Sequence, residues 1–114
     1  MKQHTSKDQT AKLIELGFPR PQGWGNAGIS NKWVMAISPN GKREDFNYSI
    51  GELIEFLPLE LEPHPDMARR TIVGNEVLYC DEYIDWVELR FNKHKEIIDN
   101  LFDACVTLKE EGVI

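Results

Sequence analysis

The chain has 114 residues, 41% of them apolar and 28% charged, with a formal net charge of −6. That length supports a single domain with one core that needs neither disulfide staples nor metal, and the composition excludes wholesale disorder. No apolar run reaches the roughly eighteen residues of a membrane span, and MKQHTSKDQT lacks the apolar segment of a secretory signal.

In chain order, Ser6-Lys-Asp-Gln9 has the form of a capping box and predicts a short helix over DQTAKLIEL. Ala11, Leu13, Ile14 and Leu16 supply its inward side, Gly17 ends it, and Phe18 folds back onto Leu13 before Pro19 and Pro21 forbid continuation. Gln22 to Asn31 reads as a polar, glycine-rich loop with Trp24 in its middle. Lys32 to Ile37 reads as a strand, Ser38-Pro-Asn-Gly41 as a hairpin turn, and Lys42 to Tyr48 as the return strand.

Ser49-Ile-Gly-Glu52 is a second capping box, opening a short helix that Pro58 closes by pushing Leu57 out of helical geometry. Residues 58 to 70, with three prolines, read as an extended loop. From Thr71 to His94 two readings compete. Thr71-Ile-Val, Glu76 to Cys80 and Tyr83 to Phe91 fit strands broken at Gly74-Asn75, while Val77, Cys80, Ile84, Val87 and Phe91 also fit one long helix. Aromatic and β-branched content favours strands. Lys95 to Glu111 closes the chain as a long helix whose wide apolar side faces a sheet and another helix, and Gly112 stops it.

The fold class expected is α+β: a small antiparallel sheet of three to five strands, packed by two short helices and a long C-terminal helix. The expected core is Leu13, Ile14, Phe18, Val34, Ala36, Phe46, Ile50, Leu53, Ile54, Leu57, Ile97, Leu101, Phe102, Cys105 and Leu108.

Charge is divided unevenly. Residues 1 to 43 hold seven Lys/Arg against two Asp/Glu, and residues 44 to 114 hold six against seventeen, a split of +5 and −11. A solvated surface of uneven charge accounts for this; so does a surface that steers a partner or pairs with a copy of itself. Lys2, Lys7, Lys12, Arg20, Lys32, Lys42 and Arg43 lie near Trp24 and Trp33, a pairing that suits nucleic acid, but they are spread over several elements and the net charge opposes it.

No assembled catalytic or metal constellation is evident, and no cofactor is expected. Gly23-Trp-Gly-Asn-Ala-Gly28 matches G-x-G-x-x-G, but it follows a helix and precedes a strand, the reverse of a dinucleotide fold. His4, His64 and His94 are scattered, with no metal-ligand spacing. Cys80 and Cys105 read as reduced thiols in a cytoplasm, Cys105 as a core residue and Cys80 without the electropositive surroundings of a reactive thiol. Asp81, Glu82, Asp85 and Glu88 form an acidic run open to a general acid/base pair, for which nothing indicates the burial and partner needed, a cation site, a solvated face, a docking surface for a basic partner, or a mimic of DNA phosphates. As strand residues, Glu82 and Glu88 share one face and Asp81 and Asp85 the other; in a helix, Asp81, Asp85 and Glu88 share one side.

Gly17-Phe-Pro-Arg-Pro21, Tyr48-Ser-Ile-Gly-Glu-Leu-Ile-Glu-Phe-Leu-Pro58 and Asn100-Leu-Phe-Asp-Ala104 together carry a resemblance. In that order they resemble small uncharacterised proteins of phages, prophages and integrated elements of gut bacteria, which have no assigned activity. The resemblance implies a genomic setting and carries over no functional residue. The expected function is a non-catalytic accessory or interaction protein with a protein partner, with a homodimer also open. The alternatives are a small ligand-binding domain or enzyme using the Trp24 loop, and an acidic DNA mimic or anti-defence protein. Candidate ligand- or partner-binding residues are Trp24, Trp33, Arg43, Asp81, Glu82 and Asp85.

Overall fold

The computed structural model describes residues 2–19, 24–26, 33–35, 47–61 and 68–114, with 24–26 and 33–35 described by their backbone alone. The elements run α1 (Lys7–Glu15), β1 (Trp24–Asn26), β2 (Trp33–Met35), α2 (Ile50–Phe56), β3 (Arg69–Val73), β4 (Glu76–Cys80), β5 (Val87–Phe91) and α3 (Ile97–Glu110). This is the expected α+β class. β3, β4 and β5 form an antiparallel sheet in that spatial order, and α3 packs on it.

Local chemistry sets both short helices. The Ser6 hydroxyl accepts from the Gln9 N–H at 3.2 Å, while the Gln9 side chain accepts from the Ser6 N–H at 2.9 Å. Ser49 and Glu52 repeat the exchange at 3.2 and 3.1 Å. Each box satisfies two amides that a helix start would leave orphaned. α1 ends in a Schellman motif: Gly17 takes φ +101°, and Phe18 N–H reaches Leu13 O at 3.1 Å. α2 ends at Leu57, which is extended at φ −84°, ψ 135° ahead of Pro58.

The carbonyls at the end of α2 are claimed from a distance. Arg70 Nη1, on β3, donates to Ile54 O at 2.7 Å and Leu57 O at 2.9 Å. Tyr79 on β4 donates its hydroxyl to Pro58 O at 2.7 Å, and Tyr48 does the same to Pro19 O at 2.7 Å. The sheet is thereby fastened to the exit of α2, and the segment entering α2 to the exit of α1; burial pushes both phenols well above the usual tyrosine range.

α3 lies across this frame with Ile98, Leu101, Ala104, Cys105 and Leu108 buried against Leu13, Leu53, Leu57, Val77 and Tyr79. It begins at Ile97 rather than Lys95, and Gly112 at φ +78° ends it in a second Schellman turn, with Val113 N–H on Leu108 O at 2.9 Å. One polar residue sits in that buried stripe. Asn100 accepts from His94 N–H at 3.0 Å and donates to Asn75 O at 2.6 Å and His94 O at 3.1 Å, so it joins the β3–β4 turn to the segment entering α3. Burial without those partners would carry the full desolvation cost of an amide.

The eight expected core residues Leu13, Ile14, Phe18, Leu53, Leu57, Leu101, Cys105 and Leu108 are buried, and Ile50, Ile54, Ile97 and Phe102 pack partly buried beside them. The side chains of Val34, Ala36 and Phe46 lie outside the description. Tyr48, Leu61, Ala68, Val77, Tyr79, Ile98 and Ala104 complete the cluster.

Three expectations need correction. The segment around Trp24 was expected as a loop, yet Trp24–Asn26 pairs antiparallel with Trp33–Met35. The loop assigned to 58–70 is paired at both ends of the undescribed residues 62–67: Leu61 N–H reaches Ala68 O at 2.9 Å, Arg70 N–H reaches Leu59 O at 2.8 Å, and β3 begins at Arg69 rather than Thr71. The strand expected from Tyr83 begins only at Val87, and the long-helix alternative for this region is overturned by the ladders β3–β4 and β4–β5. The hairpin turn 38–41 and most of the return strand after it lie outside the described residues.

Candidate functional site

β4 is the sheet's central strand, and its burial explains where the exposed chemistry goes. Val77 and Tyr79 face the core; Leu78 and Cys80 point to the other face and are buried as well. Pairing places Cys80 opposite Val87 and Tyr79 opposite Leu89, so Glu88 is an extra residue, a bulge in β5. Beyond Cys80 the chain turns through Asp81–Trp86, and its apolar side chains leave the core.

Asp81 builds this tip. Its N–H donates to Trp86 O at 3.0 Å, its carbonyl accepts from Ile84 N–H at 3.1 Å, and its carboxylate accepts from Trp86 N–H at 2.8 Å. A short side chain that bonds the backbone of its own loop favours a turn over a continuing strand. The arrangement holds Ile84 at φ +58°, a left-handed conformation that costs a β-branched residue about 1–2 kcal/mol. Tyr83 is 76% exposed, Trp86 47% and Ile84 43%, with Val87 also exposed beside them. Glu82, Asp85 and Glu88 are exposed around these side chains.

Large aromatics on rigid backbone, ringed by charge, are the composition from which interface hot spots are made. The strained loop holds them outward in the free chain, so little ordering remains to be done on contact.

Of the sequence candidates, Asp81, Glu82 and Asp85 come together in this loop. The facial division expected for a strand does not apply, because Asp81 is turned inward as the loop's brace. Trp24 and Trp33 lie apart from it in the β1–β2 ribbon, Trp24 opposite Met35 and Trp33 opposite Asn26. Arg43 lies outside the described residues. Tyr83, Ile84 and Trp86 were not among the candidates, although Asp81-Glu82 before an aromatic pair was the available turn signal.

Two other places have chemical potential. A cleft of about 360 Å³ beside β5 is lined by Arg90, Phe91, Lys93, Asp103 and Thr107, and next to it His94 Nε2 meets Asp103 Oδ2 at 2.8 Å. The thiols of Cys80 and Cys105 are free of disulfide and buried; burial pushes Cys105 up to about 12, and its Sγ lies 3.6 Å from Leu53 O. A thiol in that state is not a nucleophile. Among the described residues no group of His, Cys, Asp and Glu is placed to hold a metal ion, and no helix is long and apolar enough to cross a membrane.

Compared with models of protein families, with curated proteins and with solved structures, the chain finds no match.

Proposed function

We propose that this chain is a non-catalytic interaction protein that docks through the Asp81–Val87 tip onto a basic, apolar-lined surface of a protein partner. One observation carries the reading: Tyr83, Ile84 and Trp86 stand exposed on a braced loop rather than in the core. Glu82, Asp85 and Glu88 around them set the sign of the partner. The resemblance to small phage proteins makes a phage or other mobile element its setting, with the partner supplied by the element or its host.

The test is affinity capture from host lysate with the wild-type chain and with Tyr83→Ala/Trp86→Ala, both checked for unchanged melting temperature. Proteins held by the wild type should be lost from the double variant and should elute as salt rises. An identical set of captured proteins from both chains would sink the reading.

A further inference from the structure

β5 is the last strand of its sheet among the described residues, paired with β4 on one side. No described residue pairs with its other edge, and Val87, Glu88 and Arg90 are all exposed. An open edge is a template for another strand, and proteins commonly guard one with charge, a bulge or short length. β5 has all three. What distinguishes it is the order of the charges.

Read about Leu89, the sequence Asp85-Trp-Val-Glu-Leu-Arg-Phe-Asn-Lys93 reverses its sign: Glu88 mirrors Arg90, and Asp85 mirrors Lys93. None of these four side chains makes an ion pair or hydrogen bond among the described residues. Some charges elsewhere are paired internally, Lys2 with Asp99 and His94 with Asp103.

We infer that the open edge of β5 binds a second copy of this chain, antiparallel, with a twofold axis at Leu89. A twofold interface sets residue i against j and j against i. About Leu89 it places Glu88 opposite the other copy's Arg90 twice over, and brings Asp85 of each copy towards Lys93 of the other. Opposite charges directly across a strand pair stabilise it, and like charges destabilise it. A shift of the axis to Glu88 or Arg90 would set that residue against its own like charge, so the pattern also selects the register.

The result is a closed pair with a six-stranded sheet, not an open stack, because the twofold axis uses the β5 edge of both copies in the one contact. The same register brings the exposed Trp86 of one copy alongside the other's cleft between β5 and α3. The bulge at Glu88 leaves that carboxylate without a residue across from it on β4. The paired segment shares Asp85, Trp86 and Val87 with the Asp81–Val87 tip, while Tyr83, near the apex of the loop, lies beyond it; charge reversal at Arg90, outside the tip, tests the pairing apart from what the tip binds.

The experiment is sedimentation of the full chain across a wide concentration range, with Glu88→Arg, Arg90→Glu, their equimolar mixture, and the chain carrying both changes. Both sites are exposed, and circular dichroism with a wild-type-like melting temperature establishes that each variant is folded. The wild type should form dimers. Each single variant sets like charges face to face in two places and should associate about tenfold or more weakly. The mixture and the doubly exchanged chain should both recover dimers, since each restores opposite charges across the axis. A wild type that stays monomeric throughout, a dimer indifferent to both single reversals, or a mixture of folded variants that fails to dimerise would each overturn the inference.

Discussion

α3 and the β4–β5 hairpin contain similar side chains and place them differently. Around α3, apolar residues meet the core, and Asn100, Asp99 and Asp103 all find partners within the chain. At the hairpin end, Tyr83, Ile84 and Trp86 face outward and Asp85, Glu88, Arg90 and Lys93 are unpaired among the described residues. The first region is closed in terms of chemistry; the second is complete only with something added to it. Stability should therefore reside in one and recognition in the other.

The largest effect expected from that division is a contrast between Leu101→Ala and Trp86→Ala. Leu101 is fully buried, and its truncation should cost about 2–5 kcal/mol in urea unfolding. Trp86 has the larger side chain, yet its truncation should change stability by no more than about 0.5 kcal/mol, the range of an ordinary surface substitution. Comparable losses at the two sites would break the comparison.

A smaller effect sharpens it. Ile84→Gly should stabilise the folded chain by up to about 1 kcal/mol, because relief of the left-handed strain outweighs the greater freedom of glycine in the unfolded chain. The same variant should capture less partner, since the loop loses both an exposed apolar side chain and its rigidity. An unchanged or lowered urea midpoint would show that Ile84 is not strained.

The smallest effect concerns pH. Burial alone would raise the Asp99 carboxyl, but hydrogen bonds from Lys2 and Gln9, with their distances of 2.9 and 2.8 Å, outweigh it and hold the carboxyl below its usual range. A depressed folded-state value means the contribution is present above the unfolded carboxylate's range and is lost as pH falls through the lowered one. Lys2→Met should flatten the acid side of the stability profile and leave the neutral-pH shape unaltered. A profile that keeps its full acid slope would remove Asp99 from the account.

The parts of the fold that sequence reveals are those decided by neighbours in the chain. Ser6 with Gln9, Ser49 with Glu52, Gly17, Pro58 and Gly112 each act within a few residues, and each stands where its chemistry demands. Contacts between distant residues were not legible. Nothing near Arg70 in sequence points to the carbonyls of Ile54 and Leu57, and Asn100 looks like a surface residue until Asn75 and His94 arrive. β4 was legible at its observed bounds, Glu76–Cys80, through its aromatic and β-branched content, although burial on both faces removes the alternation that marks a half-covered strand.

The candidate site was half visible. Its carboxylates stood out as a run, while Tyr83 and Trp86 were absorbed into an apparent strand because YIDWVELRF alternates as a strand does. Asp81, whose carboxylate holds the Trp86 amide, is what ends that pattern, and periodicity does not register a hydrogen bond of this kind.

The two buried thiols have a further consequence. Cys80 lies in the sheet and Cys105 in the helix layered on it, and neither is open to solvent in the folded chain. An alkylating reagent can reach either one only during an opening event. The chain thus carries one chemical clock in each layer, and the ratio of their rates reports whether sheet and helix part company or come apart together.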